Sequence, residues 1–304
     1  MERTCPRKAL RGQELTSTNR RRMSSPDAPP REYPPPQHIL RDLQLEMETG
    51  PENYFRSRMP VVPEVLSPDG RVEASVLATL ADLAGATVTF QFLLPDWMAT
   101  ADLAVHVLEA PAGPTLVARA EILRAGRRNI ITEVTIEDEG PATPRPVGHA
   151  TLTFARIERP ELTLNLNPVD APVARERKSF GAAGGGLHAA HREQTGIELT
   201  DPENGICTLR RTDYTLNSFG TLQGGSVAAL AEAAAESLLT ARGFSAITED
   251  LTVRYLAQGP KGPYRSQAFL LRCREDEALA RVEVQDTGTN TLMSVADIRL
   301  RLLG

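Results

Sequence analysis

The sequence predicts an α+β chain built twice over, with one small-residue helix and several antiparallel strands in each half. Three observations carry this expectation. Blocks of the first half recur in the second in the same order. Each copy has a glycine-bearing loop leading into an alanine-rich helix. Each then continues in segments that alternate apolar and polar residues, the pattern of half-buried strands.

Residues 1–36 carry Arg20, Arg21 and Arg22, then Pro26, Pro29, Pro30, Pro34, Pro35 and Pro36. With almost no apolar periodicity they read as a disordered, solvated tail. A first domain is expected over 37–159 and a second over 187–304. Residues 160–186 contain Pro168, Pro172 and Gly184-Gly185-Gly186 and read as the linker between them.

The repeat sets the register of the halves. With Gly70 placed on Gly220, Ala78, Leu80, Ala81 and Ala84 match Ala228, Leu230, Ala231 and Ala234, and Asp82 falls on Glu232. Thr100–Leu108 lies over Thr248–Leu256, and Pro51-Glu52-Asn53 over Pro202-Glu203-Asn204. Alanine-rich helices resemble one another by chance, but three ordered blocks indicate duplication. The helices follow from Val76, Leu77, Leu80, Ala81 and Ala84, and from Val227, Leu230, Ala231, Ala234 and Leu238, at helical spacing. Strands follow from Leu251, Val253 and Tyr255, from Val282 and Val284, and from Ile298, Leu300 and Leu302. Leu103, Val105 and Val107, then Ile131 to Ile136 and Thr151 to Ile157, answer them in the first copy.

Composition excludes several classes of function. A length of 304 residues suits one large domain or two ordinary ones. The net charge of -5 gives no general attraction to nucleic acid or an anionic membrane. The longest apolar runs, such as Ser226 to Ala235, are short and interrupted by Glu232, so no span is expected, nor a secretory leader. Cys5, Cys207 and Cys273 form neither a disulfide framework nor a CxxC site, which points to a reducing, cytoplasmic setting. His188 and His191 would share a helix face, but without further ligands no metal or other cofactor is expected.

The segment from Asn217 to Glu232 holds the most specific pattern: Asn217, then Gln223-Gly224-Gly225, then Glu232. It resembles the hotdog-fold acyl-CoA thioesterases of the phenylacetyl-CoA and 4-hydroxybenzoyl-CoA type. That family has an Asn or Gln, a His-Gly-Gly turn six residues on, and an Asp or Glu nine residues after the histidine. The resemblance covers about 188–304 well and extends through the repeat, more weakly, to 38–158. It implies two tandem hotdog domains packed side by side, each a sheet wrapped around a central helix. It also implies an acyl-CoA substrate and an option of dimerising the double hotdog. Gln223 departs from the family's histidine and cannot transfer a proton. In the first copy Ser67, Glu73 and Ala74-Ser75 replace Asn217, Gln223 and Gly224-Gly225, while Asp82 keeps the acidic position.

Such residues suit attack on a thioester. Backbone N–H groups of Gly224 and Gly225 at a helix start can hold the developing oxyanion, and glycine lets the ligand approach the main chain. A carboxylate either activates water or attacks directly, and Asn217 can orient the carbonyl or the water. Gly224 and Glu232 stand roughly 12 Å apart along one helix, too far for one thioester to touch both. The resemblance resolves this by sharing sites between copies. Asn217, Gln223, Gly224 and Gly225 are then expected to work with Asp82, and Glu232 with the weakened turn around Ser67, Glu73 and Ala74. Thr100 and Thr248 resemble a Ser or Thr near the attacking water in some members; the other reading is a β-branched residue at a sheet edge. Glu236, one turn beyond Glu232, is expected to be exposed. Sparse aromatics, 5% of residues, disfavour an aryl pocket. Two other functions stay open: a non-catalytic acyl-CoA-binding double hotdog, and a hotdog hydratase using Asp102 and His106.

Overall fold

The computed structural model describes residues 33–50, 54–93, 96–140, 144–157, 176–181 and 185–303. Tail residues 1–32 with Cys5, the Pro51-Glu52-Asn53 block, and linker residues 160–175 and 182–184 lie outside the described residues.

The first half runs α1 (Ile39–Asp42), β1 (Glu46–Gly50), β2 (Tyr54–Pro60), α2 (Ala74–Leu93), β3 (Trp97–Val107), β4 (Thr115–Ala125), β5 (Asn129–Asp138) and β6 (Pro146–Ile157). After β7 (Glu176–Ser179), the second half runs α3 (His191–Thr195), β8 (Ile197–Asp201), β9 (Ile206–Leu209), α4 (Gly224–Thr240), β10 (Ser245–Tyr255), β11 (Tyr264–Cys273), β12 (Glu277–Asp286) and β13 (Thr291–Leu303). The strands join in one antiparallel sheet, ordered β7-β1-β2-β4-β5-β6-β3-β10-β13-β12-β11-β9-β8. Its centre is the β3–β10 seam, where Leu103 faces Val253 and Val105 faces Leu251. Outward from that seam the two halves repeat the same strand sequence, and β7 adds an extra edge in the first.

Local chemistry repeats as well. A 3₁₀ turn (Pro63–Val65, Asp213–Thr215) precedes each helix loop, and the bridges Leu66–Val72 and Leu216–Leu222 pinch each loop shut. Gly70 and Gly220 take φ of +82° and +71°, the left-handed region glycine enters at no steric cost. Both long helices lie inside the wrapped sheet. Ala78, Leu80, Ala81, Ala228, Leu230, Ala231, Ala234 and Ala235 are all fully buried. A helix apolar on most faces stays helical only when covered on most faces, and alanine lets the strands come close.

Composition grouped Tyr33–Pro36 with the tail. Here Arg41 holds them, its Nε donating to Pro35 O at 2.8 Å and its Nη2 to Pro34 O at 2.6 Å. Glu176–Ser179, within the expected linker, pairs with β1. Thr100 and Thr248 do not sit at a sheet edge, since β3 and β10 are central. Both strands carry a register shift just after these threonines, against β6 and β13 respectively. Such a bulge re-aims a side chain, and each threonine hydroxyl reaches a helix carboxylate.

Candidate active site

The amino end of α4 lies against the middle of α2. A Cβ built on Gly224 would stand 3.3 Å from Asp82 Oδ2 and 3.2 Å from the Tyr255 hydroxyl. Glycine at 224 is therefore what allows both groups to crowd the start of α4. The Gly224 and Gly225 N–H groups belong to the first turn, whose donors have no acceptor within the helix. The positive end of the helix dipole adds to their pull on an anion.

Asp82 is recessed, with one edge open to a cavity. Thr100 Oγ1 donates to its Oδ1 at 2.7 Å, leaving Oδ2 toward Gly224. Burial pushes the Asp82 carboxyl up to about 6, only partly offset by the Thr100 hydrogen bond. A carboxyl near that value can take and return a proton close to neutral pH. The cavity has a volume of about 530 Å³ and is lined by Asp82, Thr100, Asn217, Gln223 and Gly224, joined by Tyr33, Leu83, Ala86 and Tyr255. Asp82 and the Gly224 turn thus come from different halves and meet at one opening.

Three residues of the expected site take other work. Asn217 Oδ1 accepts from Phe219 N, Thr221 N and Thr221 Oγ1, so its oxygen shapes its own loop rather than facing a ligand. Gln223 caps α4, its Oε1 accepting from Ser226 N at 3.3 Å. Gly225 does not face the cavity. A Cβ there would run into Thr79 Oγ1 and lie 2.9 Å from Thr79 Cβ, so glycine at 225 serves the close packing of α4 on α2.

The reciprocal junction is filled by the protein itself. Glu232, 2% exposed, accepts Ala74 N at 3.1 Å and Ser75 N at 3.0 Å, occupying the start of α2 with its own carboxylate. Glu236 is not exposed as expected: Arg192 pairs with its Oε2, and Thr248 Oγ1 donates to its Oε1 at 3.1 Å. The α3 helix supplies that arginine, and beside it His191 contacts Glu73 at 3.2 Å. Burial and the charges of Glu236 and Glu73 push the Glu232 carboxyl upward, against the pull of Ser75 N–H and Arg192. Ser67 donates to Asp69 and to Arg71 O, bracing its loop. His106 is exposed on β3, where it bonds Asp250 at 2.5 Å. Asp102 pairs with Arg254, so neither residue lines the cavity. Among the described residues no cluster of His, Cys, Asp or Glu could hold a metal, and no helix is long and apolar enough to cross a membrane.

Residues 21–140 match the family model described as the acyl-CoA thioesterase C-terminal domain. Solved structures resemble nearly the whole chain. The tesB protein of Mycobacterium avium subs paratuberculosis is 13% identical, with 88% of this chain and 98% of that one covered and a TM-score of 0.56. A conserved protein with hot dog fold from Alicyclobacillus acidocaldarius is 14% identical, over 88% and 98%, at 0.57. The chain has the tandem double-hotdog fold. A 12:0-ACP thioesterase from Umbellularia californica is also similar, at 12% identity over 82% of this chain and 94% of that one, with a TM-score of 0.55. No curated protein matches. The family model falls on the first hotdog, whose glycine turn is the eroded one but whose helix carries Asp82.

This double hotdog also gathers what composition hid. Six of its fourteen aromatic residues, Tyr33, Phe90, Trp97, Phe154, Phe219 and Tyr255, line this same cavity. Trp97 stands edge-on to Phe219 at 4.8 Å and to Phe90 at 6.3 Å between ring centroids. An average of 5% says nothing about placement, so the expectation against an aromatic pocket is overturned. Tyr33 and Tyr255 escaped the sequence reading because neither stands in the glycine-turn motif.

Proposed function

We propose that this double hotdog hydrolyses an acyl-CoA thioester to the free acid and CoA at a single composite site. The observation that carries the reading is Asp82 Oδ2 beside the bare backbone of Gly224 at the wall of a cavity large enough for an acyl group. The Gly224 N–H, at the positive end of α4, polarises the thioester carbonyl. Asp82, held by Thr100, serves as general base on water or as nucleophile. A reducing, cytoplasmic setting suits the free thiols of Cys207 and Cys273.

A panel of short, medium, long and aromatic acyl-CoAs with thiol detection tests this, with CoA release expected from at least one. One acyl group presented on acyl carrier protein serves as the alternative carrier. A second reading, a double hotdog that binds acyl-CoA without cleaving it, is favoured by Gln223 acting as a helix cap and by the closed second junction. Binding of acyl-CoA with no thiol released from any of the panel would establish that reading instead.

Two further outcomes follow from the geometry. Because the reaction needs ionised Asp82, kcat/KM is expected to fall as pH drops through about 6; a flat profile between pH 5 and 8 would exclude Asp82 as the base. Glu232→Gln is expected to leave turnover within about twofold of wild type, since Glu232 closes its own helix start. Loss of most activity in that variant would assign catalysis to both junctions.

A further inference from the structure

Tyr255 ends β10 and lines the cavity, at the position that Val107 occupies in the first hotdog. The asymmetry is confined to the side that keeps Asp82 at its cavity and Gly224 in its turn. The Tyr255 hydroxyl donates to Gly224 O at 3.0 Å. Its single proton is thereby committed, and what it can offer a further neighbour is an acceptor lone pair. Burial and the charge of Asp82 both push its ionisation far upward, so the phenol keeps that proton. Asp82 is similarly half-engaged, with Oδ1 taken by Thr100 and Oδ2 toward Gly224. The two uncommitted acceptors border the same small space, 3.2 and 3.3 Å from the point where a side chain at 224 would begin.

Two acceptors around one space beside an oxyanion donor suit a molecule with two hydrogens and a lone pair to spare. We propose that Tyr255 is a catalytic residue whose oxygen accepts one hydrogen of the attacking water while Asp82 Oδ2 accepts the other. The inference rests on the thioester-hydrolysis reading and assigns the carboxylate to base rather than nucleophile.

Held at both hydrogens, the water directs its lone pair at the acyl carbon. As the C–O bond forms, the proton facing Asp82 moves to Oδ2, and the carbonyl π pair moves to the oxygen facing the Gly224 N–H. Collapse of that oxyanion breaks the C–S bond, and the departing thiolate takes the proton back from Asp82. The hydrogen held by Tyr255 stays on the new carboxylic acid and is lost when the acid ionises. The other junction shows what a helix start of this kind holds, since Glu232 places carboxylate oxygens on the Ala74 and Ser75 N–H groups.

The test uses Tyr255→Phe in the full chain, with the acyl-CoA that wild type turns over fastest. The ring remains and the hydroxyl goes. Turnover kcat is expected to fall on the order of 100-fold, the cost of a misplaced reactant, while KM stays within about threefold, and circular dichroism and Tm check that the variant is folded. A kcat within twofold of wild type, or a change in KM alone, overturns the water site. Should the phenylalanine variant fail to fold, Tyr255→Ala supplies the readout: rescue of kcat by added phenol but not by toluene supports the proposal, and equal or absent rescue overturns it. Wild type inactive on every thioester would remove the hydrolase reading and this inference together. An active wild type with a full-rate Tyr255→Phe removes only the water site.

Discussion

Asp82→Asn is expected to lower turnover by about two to four orders of magnitude and, at the same time, to stabilise the fold at alkaline pH. The loss follows from removing the only carboxylate among the cavity-lining residues. The gain follows from burial. The folded carboxyl titrates at about 6, above its ordinary value of 3.8, so the native state holds the proton more tightly than the unfolded chain does. Its favourable contribution is complete below about 3.8 and is lost as pH rises through 6. At pH 8 wild type carries an ionised, poorly hydrated carboxylate that asparagine replaces with a neutral group of the same shape. The variant should then be more stable by about 1–2 kcal/mol, reduced because one edge meets the cavity. At pH 4 the difference should nearly vanish. Thermal unfolding of both proteins at the two pH values reads this directly. Retained turnover, or a Tm at pH 8 below wild type, would make Asp82 a structural group.

Gly225→Ala should destabilise the protein by about 1–3 kcal/mol, although propensity alone predicts the reverse. Alanine favours an exposed helix over glycine by about 1 kcal/mol. At this site the new methyl group runs into Thr79 of α2, and both residues are buried between the helices. Thr79→Ala removes the colliding hydroxyl, whose own hydrogen bond goes only to Ser75 O one turn back. The double variant should recover part of the loss, with a coupling of about 0.5–3 kcal/mol in a denaturation cycle. Simple additivity would mean that α2 and α4 separate freely, and the close-packing account of Gly225 would fail.

The fold was legible because it is written twice. The offset that places Gly70 on Gly220 also places Ala74 on Gly224, and these residues begin α2 and α4. The meeting of Asp82 with Gly224 came from the resemblance, and the structure brings the two together. What stayed hidden depends on partners far away in sequence. Gly224 and Gly225 look alike in a string, yet one faces a cavity and the other a threonine on another helix. Glu236 read as a solvent residue because Arg192, which neutralises it, comes from α3, more than forty positions earlier. Asn217 and Gln223 kept the family's places while their oxygens turned to the loop and the helix cap. The cavity aromatics come from both hotdogs and from the segment before α1, and no window of sequence shows them together.

The β3–β10 seam makes the two hotdogs one continuous hydrogen-bonded body on a single chain. In an assembly of two identical chains, a substitution that closes one catalytic cleft closes its mate as well. Joined in tandem, the copies are free to age separately. Here Glu232 closes the start of α2 while Asp82, farther along that same helix, reaches across to the start of α4, so the two junctions differ within one chain.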